Sequence, residues 1–161
     1  MRAYIDIETT DLDPALAELT VMGIYIEQEG QDRVVQLYDE ALTRDNLLAA
    51  LAGTDTLYSY NGAEFDLPFI KAKLGIDLAS LFQHRDLMHD CWDKGLYGGQ
   101  KKVEKTLGIS RETAGMDGAA AAALWNDYHL NGNSDALRTL LLYNAEDVKN
   151  LALIRRRLGV D

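Results

Sequence analysis

The stretch AYIDIE, residues 3–8, is the part of the sequence that decides the fold. Its apolar and β-branched residues are typical of a buried strand, yet it carries two acids. Asp6 and Glu8 lie two residues apart and therefore project from the same face of the strand. An ionised carboxylate in an apolar strand is unfavourable unless it is paired, and a divalent cation would pair both. The alternative is that Ile5 and Ile7 face the core while both acids face water, which is the commoner case for an isolated D-x-E.

Four further strands are predicted downstream of this stretch. Two apolar runs joined by a turn predict an antiparallel hairpin, and two later runs follow helical segments. The predicted strands are Val21–Glu27, Arg33–Tyr38, Thr56–Tyr60 and a fifth near Arg85–His89. Helical spacing of apolar residues predicts helices around 47–51, 65–74, 103–107, 119–128 and 137–158, with Asp117 as an N-cap. The expectation is an α/β domain with a five-stranded mixed sheet, an antiparallel opening hairpin and flanking helices.

The composition limits the class of protein. The chain has 161 residues, of which 47% are hydrophobic, so a single globular domain over residues 1–161 is expected. The sequence has no apolar stretch of the roughly 20 residues that a membrane span needs and no signal-peptide pattern at its start. Cys91 is the single cysteine, which excludes an internal disulfide and a thiolate zinc site. A cytoplasmic location without membrane partners is therefore expected.

The charge is strongly acidic and unevenly distributed. The chain contains 16 Lys and Arg residues and 26 Asp and Glu residues, which gives a net charge of −10. Broad basic surfaces bind nucleic acid by releasing counterions, so this balance argues against such a surface. Residues 1–66 carry 14 of the acids and 3 of the bases. This acidic half is either a solvated surface or a set of carboxylates gathered around a divalent metal.

Two more acids have an unusual setting. Asp66 follows Asn61 and Phe65 after the fourth predicted strand, and a first-turn acid or N-cap would explain it alone. Asp147 lies four residues after Tyr143 and so shares a face of the last helix with it. The three segments occur in an order that would bring them to one end of the sheet. Four carboxylates could then hold two metal ions roughly 3.5–4 Å apart, as in phosphodiester cleavage.

The segments DIETT, 6–10, NGAEFD, 61–66, and YNAED, 143–147, resemble the three exonuclease motifs of the DEDD superfamily in its tyrosine-bearing branch. Leu142 occupies the position where the other branch has histidine. A closer likeness, through GGQK at 98–101, LGI at 107–109 and Trp125, is to the YprB-type ribonuclease H-like domains. The resemblance implies a ribonuclease H-like fold and metal-dependent 3′-to-5′ exonuclease activity.

The resemblance also implies roles for individual residues. Asp6 would bridge two Mg²⁺ or Mn²⁺ ions, Glu8 and Asp147 would complete the first ion's site, and Asp66 would serve the second. Tyr143 would hydrogen-bond the attacking water without being deprotonated. The resemblance further implies a substrate with a free 3′ end, of which single-stranded nucleic acid is the expected form, and residues expected to contact it are Asn61, Phe65, Lys101 and Lys102.

The one basic cluster of the chain spans 94–111 and is interrupted by Glu104. It is interpreted either as a phosphate grip or as a solvated helix face. Cys91 and Trp92, just before it, are interpreted as packing residues. The acidic net charge also predicts weak intrinsic binding, which a protein partner could supplement. Two other functions stay open: a catalytically silent nucleic-acid-binding or interaction module of the same fold, and an endonuclease acting on RNA–DNA hybrids.

Overall fold

The computed structural model describes residues 1–161 and contains one five-stranded mixed sheet. The strand order is β3-β2-β1-β4-β5, with antiparallel pairing among the first three and parallel pairing of β1 with β4 and of β4 with β5. The expected mixed sheet with an antiparallel opening hairpin is therefore confirmed. The strands are β1 Arg2–Thr9, β2 Leu19–Glu27, β3 Arg33–Tyr38, β4 Thr56–Ser59 and β5 Gln83–Asp86.

Seven α-helices flank the sheet, together with a 3₁₀ turn at Asp39–Ala41. None of these helices combines the length and the apolar character that crossing a lipid bilayer requires. Asp117 caps the sixth helix by accepting a hydrogen bond from the Ala120 amide, as expected. The helices are α1 Arg44–Ala50, α2 Asp66–Leu74, α3 Leu78–Leu81, α4 Leu87–Asp93, α5 Gln100–Thr106, α6 Gly118–Asn131 and α7 Ser134–Leu158.

The fifth strand differs from its prediction near Arg85–His89. The strand ends at Asp86, whose side chain accepts a hydrogen bond from the Met88 amide and so caps α4. Leu87 and Cys91, four residues apart, then place their side chains on the buried face of that helix. The cap and the helical spacing outweigh the apolar character that favoured a longer strand.

Helices cover both faces of the sheet, and this decides the environment of the acids on β1. Ala3, Ile5 and Ile7 belong to the core cluster that includes residues of α1 and α2. Tyr4, on the opposite face, packs in the cluster that contains residues of α4 and α7. Asp6 and Glu8 share the face of Tyr4, so they lie under helices instead of facing open water.

α7 approaches the sheet closely at Gly23 of β2. A Cβ atom at Gly23 would lie 2.2 Å from Oδ1 of Asn144, a fully buried residue of α7. No side chain larger than hydrogen fits between this helix and the strand. The placement of the Asn144 side chain between α7 and the sheet therefore depends on this glycine.

Replacement of Gly23 by alanine should force Asn144 and α7 away from β2. The expected loss is about 1–3 kcal/mol of unfolding free energy, the usual range for overpacking a tight site. Urea denaturation followed by circular dichroism measures it. Gly118→Ala is the matched control because a Cβ there meets no atom within 4 Å. Equal stability of Gly23→Ala and the wild-type protein would contradict the close approach.

Candidate metal centre

Three carboxylates from distant parts of the chain meet near the carboxyl end of β1. Asp6 and Glu8 lie on β1, and Asp147 lies on α7. One oxygen atom of each side chain lies within 4.8 Å of the corresponding atoms of the other two. Glu8 and Asp147 are buried, and Asp6 is partly buried. We refer to these three residues as the carboxylate cluster, which contains three of the four acids expected as metal ligands.

Asn144 connects the two elements that form the cluster. Its Nδ2 atom lies 3.4 Å from the carbonyl oxygen and Oδ2 of Asp6, and 3.5 Å from Oε1 of Glu8. Its Oδ1 atom accepts a hydrogen bond of 3.0 Å from Gln36 on β3. Because both ends of the amide have partners, the side chain is held with its amino group toward the acids.

Asp66, the fourth expected ligand, lies beside the cluster and not within it. It is buried at the first position of α2, where its Oδ2 accepts a hydrogen bond of 3.0 Å from the Ile7 amide. Ile7 lies between Asp6 and Glu8 on β1, so this bond fixes the start of α2 against the strand that carries the cluster. Asp66 is therefore more than a first-turn acid that faces water.

Burial and mutual repulsion raise the pKa values of the carboxyl groups in this region. The pKa of Glu8 is raised to about 8, mainly by burial and then by the charge of Asp147. Burial raises the pKa of Asp66 to about 7. Burial, followed by the charges of Asp147 and Glu8, places the pKa of Asp6 well above its ordinary value. The positive charge that the protein places near these groups thus does not offset the effect of their burial.

A divalent cation fits this set of donors. Carboxylate oxygens are hard ligands, which Mg²⁺ and Mn²⁺ prefer, and the cluster contains no thiolate or imidazole. A bound cation would favour the ionised forms of Asp6 and Glu8 and so offset the burial and repulsion that raise their pKa values. The chemistry of the donors therefore agrees with the expected magnesium or manganese site.

Tyr143 lies one helical turn before Asp147 and is buried. Burial raises the pKa of the Tyr143 hydroxyl, and the negative charges of Asp147 and Glu8 raise it further. The hydroxyl is therefore protonated at neutral pH and is a hydrogen-bond donor. Nζ of Lys101 lies 4.7 Å from the centroid of the Tyr143 ring, within cation–π distance.

A buried ion-pair network, which the sequence did not predict, contacts the cluster. The side chains of Arg111, Glu104 and Asp147 are 6%, 1% and 4% exposed. Arg111 donates to both carboxylate oxygens of Glu104, and its Nη2 also donates to Oδ1 of Asp147. Nζ of Lys101 lies 3.4 Å from the same oxygen. The cations of the protein therefore engage one oxygen of Asp147.

Two further polar residues fix this network to α7. Nε2 of Gln100 donates to Oε1 of Glu104 and to the carbonyl oxygen of Asp147, both at 2.9 Å. Glu146 accepts hydrogen bonds from the amide and the hydroxyl of Thr113, which holds the loop after Arg111. The sequence alone did not predict these polar contacts. The spacing of Gln100 and Glu104, one helical turn apart, was the available signal.

The residues expected to contact nucleic acid occupy different settings. Phe65 and Glu8 both line a groove of about 630 Å³ between the β1–β2 loop and α6. Lys101 contacts the carboxylate cluster, as described, whereas Lys102 is exposed on α5. Asn61 is exposed in a left-handed turn with φ of 60°, and its amide donates to Asp86. The structure thus places Phe65 and Lys101 at the candidate site, while Asn61 and Lys102 lie outside the groove lining.

The comparisons with known proteins agree with this architecture. Residues 3–159 match the family model described as the RNase H superfamily. No curated protein matches the sequence. Among solved structures, the family B DNA polymerase of the archaeon Pyrobaculum calidifontis is 16% identical with a TM-score of 0.72, covering 98% of this chain and 24% of the polymerase.

Two further solved structures are nucleases or complexes with nucleotides. A structure described as the apo form of a nuclease is 20% identical, with a TM-score of 0.64 and coverage of 98% of this chain and 71% of that one. Brucella melitensis NrnC bound to pGG is 22% identical, with a TM-score of 0.65 and the same coverage. NrnC has also been solved with bound Mg²⁺. At these identities the likeness shows the fold.

The raised pKa values predict that the metal-free protein loses stability as the pH rises. Glu8 has an ordinary pKa of 4.5 and a pKa of about 8 in the folded protein. The folded state therefore binds more protons than the unfolded state between these values, and the stabilisation is lost as the pH rises through about 8. The measurement is the free energy of unfolding in EDTA, taken at about pH 6 and at about pH 9. The decrease between these two pH values should be about 2 kcal/mol larger for the wild-type protein than for Glu8→Gln. Glu64→Gln, at an exposed position, is the control. Identical pH profiles for wild type and Glu8→Gln would contradict the assignment.

The buried ion pair of Glu104 and Arg111 predicts strongly non-additive substitutions. Arg111→Met should lower the unfolding free energy by about 3–5 kcal/mol because it leaves the Glu104 charge buried without its partner. The double variant Glu104→Gln with Arg111→Met should recover part of this loss, since Glu104 no longer carries a buried charge and Asp147 keeps its contact with Lys101. Urea denaturation of the wild type, both single variants and the double variant tests this coupling. Additive losses would show that the pair is not coupled.

Proposed function

Since the chain belongs to the RNase H superfamily, we propose that it is a metal-dependent 3′-to-5′ exonuclease that hydrolyses phosphodiester bonds of nucleic acid. The observation that carries the proposal is the meeting of Asp6, Glu8 and Asp147 within 4.8 Å. A solely structural site would not gather acids whose pKa values rise by burial and repulsion. Their arrangement suits a bound cation, and the fold is that of known nucleases.

In this proposal the four acids hold two ions, Mg²⁺ or Mn²⁺. Asp6, Glu8 and Asp147 would hold the first ion, and Asp6 together with Asp66 would hold the second. The separate position of Asp66, fixed by the Ile7 amide, supports a second and looser site. Bound divalent ions lower the pKa of water and neutralise charge that develops on phosphate oxygens. NrnC, which has this fold, has been solved with bound Mg²⁺.

Tyr143 is proposed to position the attacking water. Its raised pKa keeps the proton on the hydroxyl, so the group donates a hydrogen bond and does not act as a base. The aromatic ring is held between α7 and the cations of Lys101 and Arg111. An oriented hydroxyl beside the carboxylate cluster would restrict the direction from which water reaches a phosphate.

The substrate is proposed to enter with its 3′-terminal nucleotide in the groove lined by Phe65 and Glu8. Phe65 offers an aromatic surface to a base or sugar, and the groove leads to the carboxylate cluster. Lys101 lies where it can contact the phosphate next to the cluster. NrnC has been solved with pGG, which shows that this fold accepts a short nucleotide in that protein. We propose Asn61 as a further contact through its exposed side chain.

A second candidate function is a silent nucleic-acid-binding module of the same fold. The observation that favours it is the contact of Arg111 and Lys101 with Asp147, because the protein's own cations already neutralise that acid. Asp6 and Glu8, however, have no cationic partner within ion-pair distance. Titration calorimetry with Mn²⁺ separates the two functions: the exonuclease binds the ion, and the silent module does not.

Removal of single acids should abolish the proposed activity without unfolding the protein. Asp6→Asn and Asp147→Asn should reduce Mn²⁺-dependent release of nucleotides from a labelled oligonucleotide to the background rate, because each variant removes a ligand charge. Tyr143→Phe should slow hydrolysis by roughly a hundredfold and leave Mn²⁺ affinity nearly unchanged. Asp45→Asn, an exposed acid on α1, is the matched control. Full activity of both ligand variants would refute the proposal.

The direction of degradation has its own test. A 3′-to-5′ exonuclease should release mononucleotides in order from the 3′ end, and a blocked 3′ terminus should stop it. An endonuclease would cut the blocked substrate internally. A panel of labelled DNA and RNA strands, with and without Mn²⁺, measures both properties, and internal cuts in the blocked strand would exclude exonuclease activity.

A further inference from the structure

One segment next to the carboxylate cluster has a surface that the proposed chemistry does not use. The segment is residues 92–102, which we call the Trp92–Lys102 segment; it links α4 to the first turn of α5. Trp92, expected from the sequence to pack in the core, is instead 44% exposed. Tyr97 is 64% exposed. The other large hydrophobic side chains that are exposed are all leucines, so both exposed large aromatic residues lie on this segment.

The exposure of these rings does not come from a loose backbone. The amides of Lys94 and Leu96 donate to the carbonyl oxygen of Cys91, a buried residue of α4. The Tyr60 hydroxyl donates a hydrogen bond of 2.6 Å to the carbonyl oxygen of Gly98. Leu96 packs against the core cluster between α7 and the sheet. The segment is therefore fixed to the fold while both aromatic rings point away from its core.

The charge of the segment is opposite to that of the whole chain. The segment contains three lysines, Lys94, Lys101 and Lys102, and one acid, Asp93, whereas the whole chain has a net charge of −10. Lys94 and Lys102 are exposed and have no ion-pair partner. At the other end, Lys101 reaches the carboxylate cluster through Asp147. Exposed aromatic residues and lysines thus alternate along the sequence of this segment, and its Lys101 end contacts the carboxylate cluster.

We propose that the Trp92–Lys102 segment binds the single-stranded part of the substrate that lies on the 5′ side of its terminal nucleotide. Trp92 and Tyr97 would stack with unpaired bases, and Lys94 and Lys102 would contact phosphates. Every base offers a face for stacking, so this combination binds single strands with little sequence preference. Bases in a duplex are already stacked on each other and offer no free face. The inference rests on the proposed function and specifies its substrate as single-stranded.

The test measures binding in EDTA, so that it does not depend on hydrolysis. A labelled strand of about 12 nucleotides, as DNA and as RNA, is titrated with protein and followed by fluorescence anisotropy. The double variant Trp92→Ala with Tyr97→Ala should raise the Kd by at least about tenfold, because each stacked base contributes to affinity. The variant with phenylalanine at both positions should retain most of the affinity. Leu81→Ala and Arg44→Ala, exposed positions on other helices, are the controls.

Salt dependence separates the roles of the aromatic residues and the lysines. Each phosphate contact adds about 0.7 to the slope of log K against log salt for a single strand. Lys94→Gln with Lys102→Gln should therefore reduce the slope by about 1.4. The double alanine variant of the aromatic residues should lower the affinity at every salt concentration and leave the slope unchanged. An unchanged slope in the lysine variant would overturn the phosphate contacts.

The outcomes distinguish this inference from the proposed function. If the alanine variant binds the strand as tightly as the wild type, or if the wild type does not bind single strands, the inference is wrong. If the wild type then still degrades the strand with Mn²⁺, the proposed exonuclease activity is supported although the inference about the segment is wrong. If the alanine variant loses affinity but the wild type hydrolyses nothing, the segment binds single strands and the proposed exonuclease is wrong. A blunt duplex should bind the wild type and the alanine variant equally.

Discussion

The packing of α7 against the sheet has to overcome the repulsion between acids that α7 and β1 bring together. Asp6 and Glu8 on the strand and Asp147 on the helix would separate if their charges alone decided the packing. Asn144 of α7 packs closely on Gly23 of the neighbouring strand β2, and the apolar residues around these elements drive their association. The energy of the hydrophobic core is thus used to hold anionic groups close to each other. Burial, and after it the charges of neighbouring acids, raise the pKa values of Asp6 and Glu8.

The cation beside the carboxylate cluster and those on the Trp92–Lys102 segment have different settings. The side chain of Arg111 is buried, donates to Glu104 and also donates to one oxygen of Asp147. Its pairing with Glu104 means that the two residues together add no net charge to the site. Lys94 and Lys102 stay exposed and remain available for ligands. The cluster therefore stays anionic enough for a divalent cation, although an arginine lies in direct contact with it.

The sequence was sufficient to predict those residues of the site that belong to short local patterns. Acids inside the apolar stretch of β1 and the Tyr143–Asp147 spacing on one helix are local patterns, and the structure brings those residues together. Asp66 was placed by its position after a predicted strand. The mixed sheet followed from the same local patterns, because strand alternation and helix periodicity are visible within a few residues.

The remaining features depend on contacts between residues that are distant in sequence. Nothing near Gly23 indicates that Asn144 will occupy the space above it, and nothing near Glu104 indicates that it will be buried against Arg111. The end of β5 was misplaced because the side chain of Asp86 caps a helix, a contact that competes with strand propensity. Trp92 was expected in the core because large aromatic residues are usually buried on average.

The balance of charge bears on how an acidic protein could act on nucleic acid, as the proposed function requires. Binding through a broad basic surface would be incompatible with a net charge of −10. A strand that is held by stacking on Trp92 and Tyr97 needs fewer phosphate contacts, because base stacking does not depend on charge. Divalent cations at the carboxylate cluster would supply the positive charge where the scissile phosphate lies. On the proposed function, the acidic composition would limit affinity for nucleic acid elsewhere on the surface, so that binding would be directed to the Trp92–Lys102 segment beside the carboxylate cluster.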